Sequence, residues 1–348
     1  MKSNILIAPC GGGRIPRNGA SAKNYHLALY LKSKQIPLTV VDTEAWRKKP
    51  WILLRLLWMI LTNAKATYIV GTDSMSAYRL IRFFNLLPHK RNVIYWTIGG
   101  AVAQWMKMGK VKSKPYQIVR YFLVEGEAMK QTFFECGYEN VIVVPNFKNI
   151  NYIPKRDKCH NKDNDTVQFV FLSRIIPQKG CDLIFDAMQQ LNEKGVFNFH
   201  TVFYGPIEPS YEKEFQKKLQ MTANSKFGGF LNLHDTSGYD ILADYDVMLF
   251  PTFWSGEGFP GIIIDAYISG LPVIASNWNL HKDIVVDGET GYIIPPHNAA
   301  ALAHVMKQII ENKQILKEMS ANCQKKAMAY NTKNVISDAL LTTIGLIS

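Results

Sequence analysis

The sequence predicts an α/β protein built from two parallel-sheet domains, and three features carry that prediction. The chain has 348 residues, more than one typical core accommodates and suited to two domains of roughly 150 residues each. Apolar runs of strand length alternate with helix-length segments in both halves, the pattern of a parallel sheet with crossover helices. Between the halves, "KNINYIPKRDKCHNKDND", residues 148–165, is polar and almost free of apolar periodicity, as a linker would be.

The first domain, residues 1–150, opens with a strand at 5–8, a glycine-rich turn, a helix at 22–33 and a second strand at 38–41, together a βαβ unit. Strands follow at 68–70, 93–96, 122–124 and 141–144, with helical segments between most of them. After the linker at 151–165, a second series fills residues 166–330, beginning with strand 168–172, helix 182–192, strand 200–204 and helix 211–220. It continues with strand 247–250, helix 262–269 and strand 272–275. Helices at 298–311 and 313–330 precede a last helix from about 334, in a closing segment 331–348 expected to pack back on the first domain. The economical architecture is two Rossmann-like domains facing across a cleft, with ligands at the carboxyl ends of the strands.

Composition narrows the class. With 47% hydrophobic and 20% charged residues the chain reads as an ordinary globular protein. Its net charge of +12 is uneven: residues 1–150 hold 22 Lys and Arg against 7 Asp and Glu, whereas the remainder holds 18 against 21. No recognition helix or aromatic RNA-binding strand accompanies the basic half, so nucleic acid is not an expected partner. Five scattered cysteines (Cys10, Cys136, Cys159, Cys181, Cys323) form no C-x-x-C pair, which argues for a reducing compartment and against zinc or a disulfide framework. The N-terminal apolar run spans six residues before the glycines and reads as a strand rather than a signal peptide. No stretch reaches the length of a membrane span, and a cytoplasmic protein is expected.

Several residues point to chemistry. Gly11, Gly12 and Gly13 directly follow the first strand, so backbone there can approach a ligand closely, and the next helix offers free N–H groups to an anion. Pro16 stands where the third glycine of G-x-G-x-x-G belongs, so a nicotinamide cofactor is not implied, and a plain tight turn is the alternative. In the second half the strand FVFL runs into SRIIPQKG, placing Arg174 and Lys179 around a turn at a strand's carboxyl end. Two cations there would neutralise a diphosphate through charge-assisted hydrogen bonds of about 1.5–3 kcal/mol each, unless both are solvated bystanders. Glu257 and Asp265 stand eight positions apart in "EGFPGIIIDAYISG". A helix beginning after Pro260 would turn the amides near Phe259, Gly261 and Ile262 outward. Glu257, beside Gly258, would accept hydrogen bonds from sugar hydroxyls; Asp265 would accept those of a ribose, or else cap or pair locally.

Together, "LSRIIPQKGCDLIFDAMQQL", "YDILADYDVMLFPTFWSGEGFPGIIIDAYISGLPVIAS" and "DIVVDGETGYIIPP" resemble, in order and spacing, the retaining nucleotide-sugar glycosyltransferases of the GT-B fold, often called group 1. "VEGEAMKQTFFECGYENVIVVPNF" is similar to the segment leading into that family's interdomain linker, so the resemblance covers residues 120 to 330. Before that, only the strand, glycine loop and helix match. The resemblance implies an acceptor-binding first domain and a donor-binding second one. It implies that Glu257 contacts the transferred sugar, Asp265 the ribose, and Arg174 and Lys179 the diphosphate. Gly12, Gly13, Gly258, Phe259, Gly261 and Ile262 would complete the donor site, and the leaving phosphate would take the acceptor's proton on the same face.

Three departures stand out. Asp265 replaces the family's second glutamate, shortening the reach by one methylene, and Pro260 replaces a usual glycine, removing one amide donor. "YWTIGGAVAQWM" carries no histidine where the family often places one, and Gly99-Gly100 would bring backbone there instead. Asp244-Tyr245-Asp246 spells D-x-D, but it precedes the strand VMLF where the family has a structural turn, so no metal or cofactor is expected. His281 is expected as a loop residue, with Asp283 matching the family's acid.

The expected activity is transfer of a hexosyl unit from a nucleotide diphosphate sugar, UDP-linked, to a glycan or polyprenyl-diphosphate-linked acceptor in surface-polysaccharide synthesis. A nucleotide-sugar epimerase or phosphorylase of the same fold, and a non-catalytic partner subunit of a transferase, remain open. "AWRKKPWILLRLLWMILT", residues 45–62, places Trp51, Leu54, Trp58 and Leu61 at helical spacing beside Arg47, Lys48, Lys49 and Arg55. It reads as a contact with the anionic inner face of the cell membrane or as a helix of the first domain buried on one side, and the two are not exclusive.

Overall fold

A computed structural model describes residues 3–14, 16, 18–46, 48–99, 101–156 and 166–347. Arg47, Gly100 and the predicted linker from residue 157 to 165 lie outside the described residues. The chain divides into two units, Met1–Asn149 with Tyr330–Ser348, and Ile150–Ala329.

Unit 1 runs β1 (Asn4–Ala8), α1 (Gly19–Ser33), β2 (Leu38–Asp42), α2 (Trp51–Thr62), β3 (Thr67–Val70) and α3 (Ser74–Asn85). It continues β4 (Asn92–Trp96), α4 (Ala101–Lys107), β5 (Val119–Val124), α5 (Glu127–Glu135) and β6 (Val141–Val143). Unit 2 runs β7 (Val167–Leu172), α6 (Cys181–Glu193), β8 (Phe199–Tyr204), α7 (Glu212–Met221), β9 (Ser225–Gly229) and α8 (Thr236–Ala243). Then come β10 (Val247–Phe250), α9 (Gly261–Ile268), β11 (Val273–Ser276), α10 (His281–Ile284), β12 (Gly291–Ile294), α11 (Ala299–Glu311) and α12 (Ile315–Ala327). Two short helices, α13 (Thr332–Val335) and α14 (Asp338–Thr343), belong to unit 1.

Among the described residues each unit holds a six-stranded parallel sheet, in the orders β2-β1-β3-β4-β5-β6 and β12-β11-β10-β7-β8-β9. The central strands β1, β3, β10 and β11 are buried along their whole length, which is why they read as continuous apolar runs rather than alternating ones. Helix starts are fixed by side-chain caps: Asn18 accepts the Ser21 N–H, Asp73 those of Met75 and Ser76, and Asn298 that of Ala301.

The order of strands locates the ligand-binding edges. In unit 2 the chain winds outward from β7 through β8 and β9 on one side and through β10, β11 and β12 on the other, so its switch point lies between β7 and β10. In unit 1 the corresponding point lies between β1 and β3. Open α/β sheets bind ligands outside the strands' carboxyl ends at such points.

Ile336, Leu341 and Ile344 from the C-terminal segment share the unit 1 core with Leu27 and Leu31 of α1, and the Tyr30 hydroxyl donates to the Ile336 carbonyl at 3.1 Å. Leu341→Ala is therefore expected to lower unfolding stability by about 2–5 kcal/mol, read from denaturant melts, because a fully buried leucine leaves a cavity when truncated. A surface helix would lose far less.

The structure departs from expectation in five elements. The single closing helix from about 334 is two helices, because the Ser337 hydroxyl caps a new start by accepting the Leu340 N–H. The helix expected at 313–330 runs Ile315–Ala327 and tightens into a 3₁₀ turn at Met328–Tyr330. Two further strands, β9 and β12, stand at the sheet's edges, and α8 precedes β10.

Candidate active site

The unit 2 switch point gathers the predicted residues. Arg174 and Lys179 lie in the loop after β7, and Glu257 lies in the loop after β10. Gly180, directly after Lys179, has φ of +84°, and a Cβ there would stand 2.4 Å from the Pro251 carbonyl oxygen. Only glycine lets the lysine turn seat this closely on the end of β10. The seat is reinforced by Phe253 N–H donating to Gln178 O at 2.9 Å and by Thr252 Oγ1 donating to the same carbonyl at 3.2 Å. From the other side, Trp278 Nε1 donates to Trp254 O at 2.8 Å and Asn279 Nδ2 to Glu257 O at 2.7 Å. The Glu257 loop is thus pinned at both flanks, as a preorganised site requires.

Lys179 Nζ forms an ion pair with Glu257 Oε2, and both side chains are largely buried, at 8% and 12% exposure. Thr252 Oγ1 lies 3.3 Å from the same oxygen. Arg174 projects from the turn and stacks its guanidinium on Trp254, 3.8 Å from the ring centroid, with Lys179 Nζ at 5.0 Å from that ring. Burial pulls the Lys179 ammonium below the ordinary lysine value, and the Glu257 charge and hydrogen bond oppose that pull. Two cations facing one carboxylate leave the group net positive, and the pair is largely buried, where electrostatic interactions are stronger than in bulk water. The first turn of α9 adds to this, because the amides of Gly261 and Ile262 have no intrahelical acceptor. Phe259 and Pro260 are buried beneath that turn, and Gly258 is half-buried beside Glu257.

Trp254, Thr252 and Asn279 were not anticipated. For Trp254 and Thr252 the signal is the tract "FPTFWSGEGFP", a tryptophan and a threonine inside a loop that leaves a buried strand, next to an acid; Asn279, in "NWNLHKD", carries no such signal.

Asp265 faces inward, 2% exposed, and accepts the Tyr239 hydroxyl of α8 at 2.7 Å. A ribose hydroxyl would have to share this carboxylate with Tyr239. His281 is not the loop residue expected: it opens α10, is wholly buried, and meets Ser276 O through Nδ1 at 2.8 Å. Burial holds it below the ordinary histidine value, so the neutral ring donates from Nδ1 and serves to fasten β11 to α10. Asp283 is exposed in the same helix. The two acids of the D-x-D diverge: Asp244 is exposed, whereas Asp246 is buried and accepts the Gln168 N–H at 2.8 Å, with Lys313 Nζ at 3.7 Å. That arrangement ties β10 to β7.

In unit 1 the glycine loop is corrected. Gly12 N–H does not stand free for a donor phosphate, because it donates to Asp42 Oδ2 at 2.7 Å; Cys10 and Glu44 N–H both donate to Asp42 Oδ1 at 2.9 Å. The acid at the end of β2 has taken the place an anion would occupy. Burial, reinforced by Asp42 and Glu44, pushes the Cys10 thiol up to about 12, so it is no nucleophile. The switch point itself is plugged by Asn24, whose Nδ2 donates to Pro9 O at 3.1 Å and Gly71 O at 2.9 Å. Gly13, by contrast, faces open space. Where the family often carries a histidine, Thr97 follows β4, and its carbonyl lies 3.5 Å from Lys23 Nζ, which pairs with Glu125 at 2.6 Å in the interior.

Helix α2 shows which side of the 45–62 segment is buried. Leu56, Met59 and Ile60 face the core, while Trp51, Leu54, Trp58 and Leu61 are 59%, 69%, 64% and 55% exposed. The helix is thus buried on one side, as one reading expected, and its tryptophan-bearing face is open. Beside it lies a pocket of about 260 Å³ lined by Gly12, Gly13, Asp42, Lys49, Trp51 and Arg55, among others. Among the described residues no helix is long and apolar enough to cross a membrane.

Two parallel sheets of this build, with cations and an acid at the second one's switch point, define the GT-B class of glycosyltransferases. Residues 153–328 match the family described as glycosyl transferases group 1, and the chain belongs to that family. It is 28% identical over 192 residues to a glycogen synthase of Thermodesulfovibrio yellowstonii, covering 51% of this chain and 37% of that one. It is 25% identical over 184 residues to the capsular polysaccharide biosynthesis glycosyltransferase CapM of Staphylococcus aureus, covering 53% and 47% respectively. The matched stretch thus spans less than half the length of these curated relatives. The crystal structure of Anabaena HepE in complex with UDP and glucose aligns over 99% of this chain and 98% of that one, with a TM-score of 0.71 at 16% identity, a likeness of fold.

Proposed function

We propose that the protein transfers a hexosyl unit from a UDP-linked sugar to a glycan or polyprenyl-diphosphate-linked acceptor, with retention of anomeric configuration and without a metal. The observation that carries this reading is the Arg174, Lys179 and Glu257 group at the unit 2 switch point. UDP in the HepE complex and the capsular role in the CapM name support the choice of nucleotide and of pathway class. With no donor present, Glu257 neutralises Lys179. An arriving diphosphate carries more charge than Glu257 and draws Lys179 and Arg174 to itself, which releases the Glu257 carboxylate to accept hydroxyls of the sugar. Asp265 and its Tyr239 partner stand at the nucleoside end. As the bond between the anomeric carbon and the diphosphate oxygen breaks, its electron pair stays on the phosphate, where the two cations and the α9 amides stabilise it. The acceptor oxygen bonds to the anomeric carbon on the same face and passes its proton to that phosphate.

NMR of the product tests both finer claims at once. The new linkage is expected to keep the donor's anomeric configuration at a rate unchanged by EDTA. An inverted linkage overturns retention, and a loss of turnover that Mn²⁺ or Mg²⁺ restores overturns metal independence.

We also place the protein at the inner face of the cell membrane, with α2 as the contact. Arg47, Lys48, Lys49 and Arg55 near an anionic leaflet contribute about 1 kcal/mol each, or about 4 kcal/mol together, before Trp51 or Trp58 inserts. Sedimentation with liposomes is expected to rise with anionic lipid content and fall with salt. Binding indifferent to both, or to changing the four cations to glutamate in a folded protein, removes this placement.

A further inference from the structure

We infer that Trp254 is a positioning residue for the diphosphate site: its indole face holds the Arg174 guanidinium, and steadies Lys179 beside it, in the arrangement that a nucleotide's diphosphate meets. This rests on the transferase reading above and names what assembles that site before a donor arrives.

Arg174 needs such a seat. It is exposed in the loop after β7, and among the described residues its guanidinium makes no hydrogen bond and no ion pair. Glu257 and Glu208 favour its charge from beyond ion-pair distance. A long cationic side chain left free on a loop must be ordered when an anion binds, and that ordering subtracts from affinity. Here the ordering contact is the Trp254 ring, whose centroid lies 3.8 Å from the guanidinium carbon. A tryptophan face is the best aromatic seat for a cation. Lys179 Nζ lies 5.0 Å from the same centroid. The two cations repel, and Arg174 is among the groups that disfavour the Lys179 charge. One negative ring face within reach of both offsets that repulsion while no diphosphate is present. Lys179 has its ion pair with Glu257 as well, so the ring matters most to Arg174.

The ring is itself fixed in place. Trp254 N–H donates to Thr252 Oγ1 at 3.3 Å. The Trp254 carbonyl accepts the Glu257 N–H at 3.1 Å and Trp278 Nε1 at 2.8 Å. A Cβ on Gly256 would stand 2.5 Å from Trp254 Nε1, so the indole packs against that glycine where any larger residue would displace it. One pinned loop therefore presents the ring to Arg174 and the carboxylate to Lys179, which is how a site comes to be organised in advance of its ligand.

Calorimetric titration of the full-length protein with UDP, with uridine as the reference, tests the inference. Trp254→Leu is expected to weaken UDP about 5- to 10-fold, in the range a close cation–π contact supplies, and to leave uridine unchanged. Trp254→Phe, which keeps an aromatic face, is expected to recover most of that loss. The decisive arm is a double-mutant cycle: in an Arg174→Ala background, Trp254→Leu is expected to change UDP affinity by less than about 2-fold, because the ring acts through the guanidinium it holds. Where circular dichroism shows the leucine variant unfolded, Trp254→Met, apolar and adaptable, carries the same cycle. A loss as large in the Arg174→Ala background as in the parent overturns the inference. UDP binding unchanged by Trp254→Leu overturns it too, as does a phenyl ring no better than leucine in a folded protein. The unaltered protein separates the inference from the reading beneath it. UDP binding no tighter than uridine removes the transferase reading; a UDP preference that Arg174→Ala reduces and Trp254→Leu does not removes the seat alone.

Discussion

Lys179→Ala is expected to lower turnover by about 10²–10³-fold, the scale that follows removal of one donor aimed at charge developing in a transition state. The expectation rests on where Lys179 is held. It is buried at the carboxyl end of β7, seated by Gly180 against Pro251, and aimed at the space that Glu257 and Arg174 also face. A flexible surface lysine would be replaced by water at little cost; this one is buried and held in an ion pair. Arg174 does not compensate, because from its seat on Trp254 it makes a diphosphate contact of its own and cannot also take over that of Lys179. The same burial sets a pH signature. Since Lys179 in the free protein lies below the ordinary lysine value, kcat/KM is expected to fall on the alkaline side at a pH lower than an exposed lysine would give, as the cation is lost. Circular dichroism on the variant distinguishes lost chemistry from lost fold; unchanged turnover in a folded variant contradicts the diphosphate role.

Glu257→Gln is expected to be similarly damaging, at about 10²-fold or more in kcat. The substitution keeps the shape and removes the charge. It leaves Lys179 without the carboxylate that neutralises it in the resting state, and it turns an acceptor of sugar hydroxyls into a group that is half donor. Asp265→Asn should behave differently. Asp265 sits behind Tyr239 rather than beside the two cations, so its loss is expected to raise the donor KM with little change in kcat. The opposite pattern, with kcat falling for Asp265→Asn and KM rising for Glu257→Gln, would mean that the two acids exchange roles.

The parallel strands were legible because each centre is buried on both faces, so that VMLF and FVFL appear as uninterrupted apolar runs. β9 was not, because SKFGG stands at a sheet edge with alternating exposure and two glycines, and nothing in it resembles a core strand. α8 was hidden for a related reason: TSGYDILA holds a glycine in its first turn, and its start is marked only by the Asp235 cap. In the site, charged residues around the unit 2 turns could be read from position alone, since β7 and β10 announce where their carboxyl ends lie. What the sequence could not show is pairing. Nothing in the spacing of Gly12 and Asp42 says that the acid fills the glycine loop, and nothing in "NWNLHKDIVV" says that His281 turns inward to Ser276. The 45–62 segment was ambiguous in the sequence because both sides of it are apolar; the structure separates Leu56, Met59 and Ile60, which face the core, from the strip that does not.

Recognition of a nucleotide's diphosphate by the Lys179 and Arg174 cations is tested most directly by calorimetry with UDP and with uridine. UDP is expected to bind the unaltered protein more tightly than uridine does, with Lys179→Ala removing most of that difference while uridine binding stays as it was. Equal binding of UDP and uridine, or a folded Lys179→Ala protein that binds UDP as tightly as the parent, would contradict it.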